Sequence, residues 1–200
     1  NEFYFAVTNE SPTAYLTCGD QCPITNLTWH QTAYFTNQLN DLLGLENCYE
    51  CTLSEESNSQ TASCTTTTDY EKFNYCRGYR LPTINEWKVA YRGGLNQNFW
   101  TTDGGGSYVN NNCTAYIDDS LSTSLQDYVH FSNCETNQPL SVATKLPNGY
   151  GLYDMAGNVS ESLTDYHWNQ STTDFINMIF LLDHNYGVIV GGSFNLAPNS

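Results

Sequence analysis

Eight cysteines in 200 residues limit what this chain can become more than any other feature. They are Cys18, Cys22, Cys48, Cys51, Cys64, Cys76, Cys113 and Cys134. An even number of this size reads as a disulfide framework in an oxidising compartment. The competing reading takes Cys48-Tyr49-Glu50-Cys51 as half of a zinc site or a redox pair. Zinc would want a second CxxC or histidines at ligand spacing, and the four histidines show none. A redox motif would want a βαβ setting, which the sequence lacks. Four disulfides are therefore expected, although eight cysteines allow 105 connectivities. The arrangement expected is Cys18–Cys22, a nested Cys48–Cys76 and Cys51–Cys64, and Cys113–Cys134. The nested pair would staple the polar loop from about 52 to 75, which has too few apolar residues to hold itself.

Charge narrows the function classes. Six Lys and Arg stand against 21 Asp and Glu, a formal net charge of −15. Nucleic acid and anionic membrane surfaces need clustered positive charge, so neither is an expected partner. The balance favours cations and basic partners. The apolar run from Phe175 to Leu182 is too short to span a membrane and is broken by Asn177. With no initiator Met and no signal peptide, the chain reads as a processed, extracellular product. Sequons begin at Asn9, Asn26, Asn112, Asn158 and Asn169, and Thr65 to Thr68 could carry O-linked sugar. A chain this rich in Asn, Ser and Thr produces about that many sequons by chance, so they do not establish a glycoprotein.

Two helices are legible. One is expected over Trp29–Leu43, capped by Thr28 or Asn26 and stopped by Gly44. The other starts at Thr83, with Glu86 three residues on closing a capping box, and ends at Gly93-Gly94. Trp87, Ala90 and Tyr91 would face inward, and Arg80 would pair with a carboxylate of this helix. Short strands are expected at 3–8, 127–131, 150–153 and 187–194. The whole reads as one α+β, loop-rich domain over residues 1–200, with a cysteine-rich insertion at about 45–77.

The segment from Gly149 to Glu161, Gly-Tyr-Gly-Leu-Tyr-Asp-Met-Ala-Gly-Asn-Val-Ser-Glu, carries three glycines and two carboxylates. The glycines imply a forced backbone path. Asp154 and Glu161, with carbonyls between them, suit a calcium-type cation; a tight turn with two solvated acids suits the same residues.

Four motifs in order carry a family resemblance. They are Cys22-Pro-Ile-Thr-Asn-Leu-Thr-Trp29, Tyr79-Arg-Leu-Pro-Thr-Ile-Asn-Glu-Trp87, the segment 149–159, and Val190-Gly-Gly-Ser-Phe194. The chain resembles the formylglycine-generating (sulfatase-modifying factor) enzyme family, whose fold is a variant of the C-type lectin fold. The cysteine-rich insertion resembles that of secreted bacterial members, and residues 5–9 are similar to the family's first strand. For the 149–161 loop the resemblance implies a structural calcium held by the Asp154 and Glu161 side chains and the Gly157 and Val159 carbonyls.

Departures from the family pattern decide the expected function. Oxidising members carry copper-binding cysteines just after the Gly-Gly-Ser-aromatic motif. Here Leu196 stands at the first of those positions, so no copper and no catalytic residues are expected. Ser160 and Ser162 stand where the family usually has tryptophans, which removes core volume. The family's final Gly-Phe-Arg strand is absent, and an unclosed sheet edge invites strand addition by a neighbour. The expectation is a non-catalytic extracellular structural protein, a subunit of a surface assembly or filament, self-associating or pairing with other surface proteins. A secreted lectin-like module that binds glycans or another ligand is the alternative; a sulfatase-modifying oxidase is disfavoured. His30, His130, His167 and His184 lack a nucleophile setting, and Asp118-Asp119 reads as an exposed turn.

Overall fold

The computed structural model describes residues 2–10, 18–54, 61–66, 73, 75–94, 127–131, 138–164 and 189–194. Helix α1 (Glu2–Thr8) is followed by a 3-10 turn (Gly19–Gln21) and helix α2 (Trp29–Leu43). Strands β1 (Tyr49–Thr52) and β2 (Ser63–Thr66) precede helix α3 (Ile84–Arg92), and strands β3 (Glu161–Ser162) and β4 (Ile189–Val190) complete the described elements. β1 pairs antiparallel with β2, and β3 antiparallel with β4.

Both long helices begin and end for local reasons. The Thr28 hydroxyl accepts from the Gln31 N–H while the Gln31 side chain accepts from the Thr28 N–H, a complete capping box. Thr83 and Glu86 do the same for α3. Each helix stops at a left-handed glycine, Gly44 and Gly93, as expected. Arg80 grips Glu86 with both guanidinium nitrogens, at 2.7 and 2.8 Å, and lies over the Phe73 ring.

Two clusters make the core. Trp29, Ala33, Cys48, Tyr49, Cys64, Phe73 and Leu81 pack α2 against the β1–β2 hairpin. Ile84 and Trp87 of α3 pack with Tyr128, Val129, Met155, Leu163 and Val190. The residues after β3 join the two: the Trp29 indole N–H donates to the Leu163 carbonyl at 2.7 Å, and the Tyr49 hydroxyl meets the Thr164 hydroxyl at 2.8 Å.

The disulfides are Cys18–Cys22, Cys48–Cys76 and Cys51–Cys64, three of the four pairs expected from the sequence. Cys113 and Cys134 lie outside the described residues. Cys51 and Cys64 stand directly opposite in the hairpin register, so this bridge ties β1 to β2.

Three expected strands differ. Residues 2–8 form α1, not a strand, because Phe3-Tyr4-Phe5 shows no apolar–polar alternation; Tyr4 stacks on Phe35 of α2 at 5.3 Å and is buried there. The same finding corrects the likeness of residues 5–9 to a first strand. Segment 127–131 makes one parallel bridge, His130 with Gly157, and no ladder. Gly157 and Asn158 both have positive φ, 80° and 58°, so the backbone leaves the extended region after one pair. At 150–153 the Asn148 side-chain oxygen accepts from the Tyr150 and Leu152 N–H groups, replacing a ladder with a turn. Of the range 187–194, the described residues 189–194 hold the strand Ile189–Val190.

Candidate functional site

The segments 156–162 and 190–194 clamp together and form the chassis of the site. Gly157 N–H donates to the Gly191 carbonyl at 2.7 Å, Phe194 N–H to the Asn158 carbonyl at 2.8 Å, and the Ser160 hydroxyl to the Gly192 carbonyl at 3.1 Å. β3 and β4 extend the clamp through Glu161 opposite Val190. On its other side the segment meets 127–131, where Asn158 N–H donates to the His130 carbonyl at 2.9 Å. A Cβ on Gly157 would collide with the His130 carbonyl, so both φ and close approach require glycine there. The buried Asn158 side chain exchanges two hydrogen bonds with the Leu140 backbone, which engages the amide a sugar would have to use.

A cavity of about 560 Å³ opens beside this clamp. Residues 24–27 form one wall, Leu81 and Pro82 a second, 159–162 a third, and Ser193 with Phe194 and Ile189 a fourth. Each of the four sequence motifs thus contributes a wall. Ser160 and Ser162, the two positions where small residues replace large aromatics, both face it. Among the described lining residues Glu161 alone carries a formal charge, and none is a cysteine.

Glu161 is half-buried at the cavity wall, and its Oε2 accepts the Trp87 indole N–H at 2.5 Å. Burial pushes its carboxyl up from the ordinary 4.5 to about 7; the Trp87 hydrogen bond opposes that shift and the nearby Asp154 charge adds to it. Asp154 takes a left-handed backbone, φ 55°, and its Oδ2 accepts from Ala143 N–H at 2.7 Å. The structure therefore brings Asp154 and Glu161 within electrostatic reach, with Gly157 and Val159 on the loop between them. Among the described residues no three His, Cys, Asp or Glu side chains converge as a metal cluster. A cation here would rest on two carboxylates and backbone carbonyls, a hard-oxygen set suited to calcium. The desolvated Glu161, beside a like charge, is the group such an ion would relieve.

Of the other sequence candidates, the two described ones, His30 and His130, do not line the cavity. His30 Nδ1 accepts from Cys64 N–H at 3.0 Å, tying α2 to the hairpin. His130 is buried with its Nε2 at 2.8 Å from the Gln138 carbonyl. His167, His184, Asp118 and Asp119 lie outside the described residues. The cavity itself was not foreseen; the available signal was the loss of bulk at Ser160 and Ser162.

Residues 6–200 match the family described as Sulfatase-modifying factor enzyme 1-like domain, and the chain belongs to that family. Among relatives, Chaperone protein LppX of Paenibacillus barcinonensis is 29% identical over 163 residues, covering 78% of this chain and 56% of that protein. The chain thus spans little more than half the length of that curated relative. Among solved structures, Treponema denticola variable protein 1 shares the fold at TM-score 0.66 and 22% identity, over 99% of this chain and 71% of that one. CarF aligns at TM-score 0.57 and 28% identity, over 96% of this chain and 64% of that one. The mixed α+β fold is that of the formylglycine-generating enzyme family.

Proposed function

We propose that this chain is a non-catalytic, extracytoplasmic binding domain built on the sulfatase-modifying fold, with the cavity as its binding site. The observation that carries the reading is the convergence of all four motifs on one cavity whose described walls hold no thiol. Copper–thiolate chemistry needs cysteines beside the Gly-Gly-Ser-Phe motif, and Leu196 stands where the first would be. A cavity of this volume lies in the range that takes small ligands. Disulfides support a location outside the reducing cytoplasm, and no described helix is long and apolar enough to cross a membrane. Calcium on Asp154, Gly157, Val159 and Glu161 is the cofactor proposed, holding the cavity's third wall in place.

A fragment screen by ligand-observed NMR tests the binding role. Hits on the wild type that vanish in Ser162→Trp, which refills the cavity, are expected. An absence of hits overturns the reading. Oxidation of a sulfatase-type cysteine peptide in the presence of copper overturns its non-catalytic part.

A second reading, the subunit of a surface assembly or filament, draws on exposed apolar side chains. Phe3 and Phe5 of α1 and Leu42 and Leu43 at the end of α2 are all about half exposed or more. Electron microscopy of native material tests it: ordered polymers are expected on this reading, and dispersed monomers sink it.

A further inference from the structure

We propose that the outer face of α1 and α2 docks a basic amphipathic helix of another protein, its apolar side chains on the phenylalanines and leucines of this face and its Lys and Arg on the acidic rim. The inference needs neither the cavity nor polymer formation; it names a partner for the exposed surface on which the second reading draws.

Helix α2 carries two apolar stripes where one would suffice. Its buried positions, Trp29, Ala33, Thr36, Asn37 and Asn40, turn one side of the helix inward. Phe35, Leu39 and Leu42 follow at i, i+4 and i+7, a second stripe about 10 Å long on the side turned away. A surface helix ordinarily has polar residues there. Helix α1 covers the start of this stripe: Tyr4 stacks on Phe35 at 5.3 Å, and Phe3 meets the same ring edge-on at 5.9 Å. The cover is partial. Phe3 stays 61% exposed and Phe5 48%, while Leu42 and Leu43 at the far end are 67% and 53% exposed.

The charge around the stripe has one sign. Neither helix contains Lys or Arg, and none precedes Lys72 in the chain. Glu2 stands in the first turn of α1. Glu10 and Asp41 lie close enough to Tyr34, the neighbour of Phe35, that their charges add to burial in pushing its phenol above 10. Asp41 accepts from the Asn47 amide at 2.8 Å, and Glu46 from the Arg77 backbone N–H at 3.4 Å, a neutral donor in each case.

This combination selects the occupant. A second copy would bring the same acidic rim and a net charge of −15 against this one, and an anionic lipid surface would meet the same repulsion. A helix with Lys and Arg beside its apolar stripe reverses the sign at the rim. Its anchors at i, i+4 and i+7 repeat the spacing from Phe35 to Leu42. The rim then steers the encounter, and the apolar contacts hold it.

Two peptides of about 18 residues test the assignment, with leucines at i, i+3, i+4 and i+7 and either Lys or Glu on the other face. They are titrated by fluorescence anisotropy into the full chain at physiological ionic strength. The Lys peptide is expected to bind at least about tenfold more tightly than the Glu peptide. Leu42→Gln with Leu43→Gln changes no charge and should weaken the Lys peptide at least about tenfold. Val89→Gln, at a similarly exposed apolar position on α3, should leave it within about twofold. Asp41→Asn should weaken it by a smaller factor that shrinks as salt rises. All these positions are exposed, so unchanged melting temperatures are expected and check the fold. Full binding by the double variant would assign the peptide to net charge alone and overturn the proposal; equal binding of the two peptides, or none, does the same. Self-association in sedimentation that the double variant abolishes makes a second copy the occupant, and flotation with phosphatidylcholine vesicles that it abolishes makes the occupant a membrane. Either result overturns the partner assigned here. Dispersed monomers in the microscope sink the second reading and leave this one to the peptides.

Discussion

Glu161 has two opposed preferences, and pH separates them. In the unfolded chain its carboxyl releases its proton near 4.5, in the folded chain near 7. Between those values the folded state holds a proton that the unfolded state has lost, so stability from this group is full below 4.5 and is lost as pH rises through 7. The metal-free protein should therefore weaken by about 3 kcal/mol from this residue between pH 4.5 and 8. Glu161→Gln should flatten that slope when melting is followed in EDTA. Calcium reverses the ranking, because an ion on the carboxylate favours the charged form and binds only the folded state. At pH 8 with millimolar calcium the wild type should melt above Glu161→Gln, and in EDTA below it. Melting curves that do not cross would count against the calcium site.

Element by element, what was legible in the sequence followed how local the cause is. Both helices and their caps could be read because Thr28 with Gln31, and Thr83 with Glu86, act within one turn, and because Gly44 and Gly93 close the far ends. The Arg80–Glu86 pair was legible for the same reason. α1 was not, since its helical state depends on Phe35, which lies across the fold. The strands at 127–131 and 150–153 failed where a side chain or a positive φ interrupts the ladder, a choice made by Asn148 and by Gly157 with Asn158. The cavity was hidden because residues from four distant segments have to meet before it exists.

The start of α3 carries its own test. Glu86 is held down to about 2 from 4.5, chiefly by the hydrogen bond from Arg80, with the Thr83 N–H and hydroxyl assisting against a burial penalty. Its stabilisation is present above 4.5 and is lost as pH falls towards 2. The Glu86 side chain is 49% exposed, so solvent screening discounts the contribution to about 1 kcal/mol. Glu86→Gln should lower stability by that amount at pH 6 and remove part of the acid limb between 4.5 and 2. A variant with an unchanged acid limb would show that the pair is too screened to matter.

On the scale of the whole molecule, the cysteine staples and the cavity meet at Tyr49. Cys51–Cys64 locks β1 to β2, and Tyr49 at the start of β1 is buried between Trp29 and Phe73. Its hydroxyl accepts from Leu81 N–H at 3.0 Å and lies 2.8 Å from the Thr164 hydroxyl, to which it can donate. Burial raises the phenol's pKa, so it stays neutral and keeps that proton to share. Leu81 is a cavity wall, and Thr164 N–H donates to Pro82, the next residue of the same wall. One hydroxyl therefore links the stapled hairpin, the second core cluster and the cavity. Removing the Cys51–Cys64 bridge with paired alanines should cost about 3 kcal/mol by releasing a short loop. Tyr49→Phe is the sharper test because it keeps the ring and every described disulfide. It strands the Leu81 N–H and the Thr164 hydroxyl in a buried setting, a loss of about 1 to 3 kcal/mol in denaturant unfolding. If Tyr49 also positions the cavity wall, binding of the fragment hits should weaken in the folded variant at temperatures far below its melting point. Lost stability with unchanged affinity would confine the hydroxyl's role to joining the two clusters.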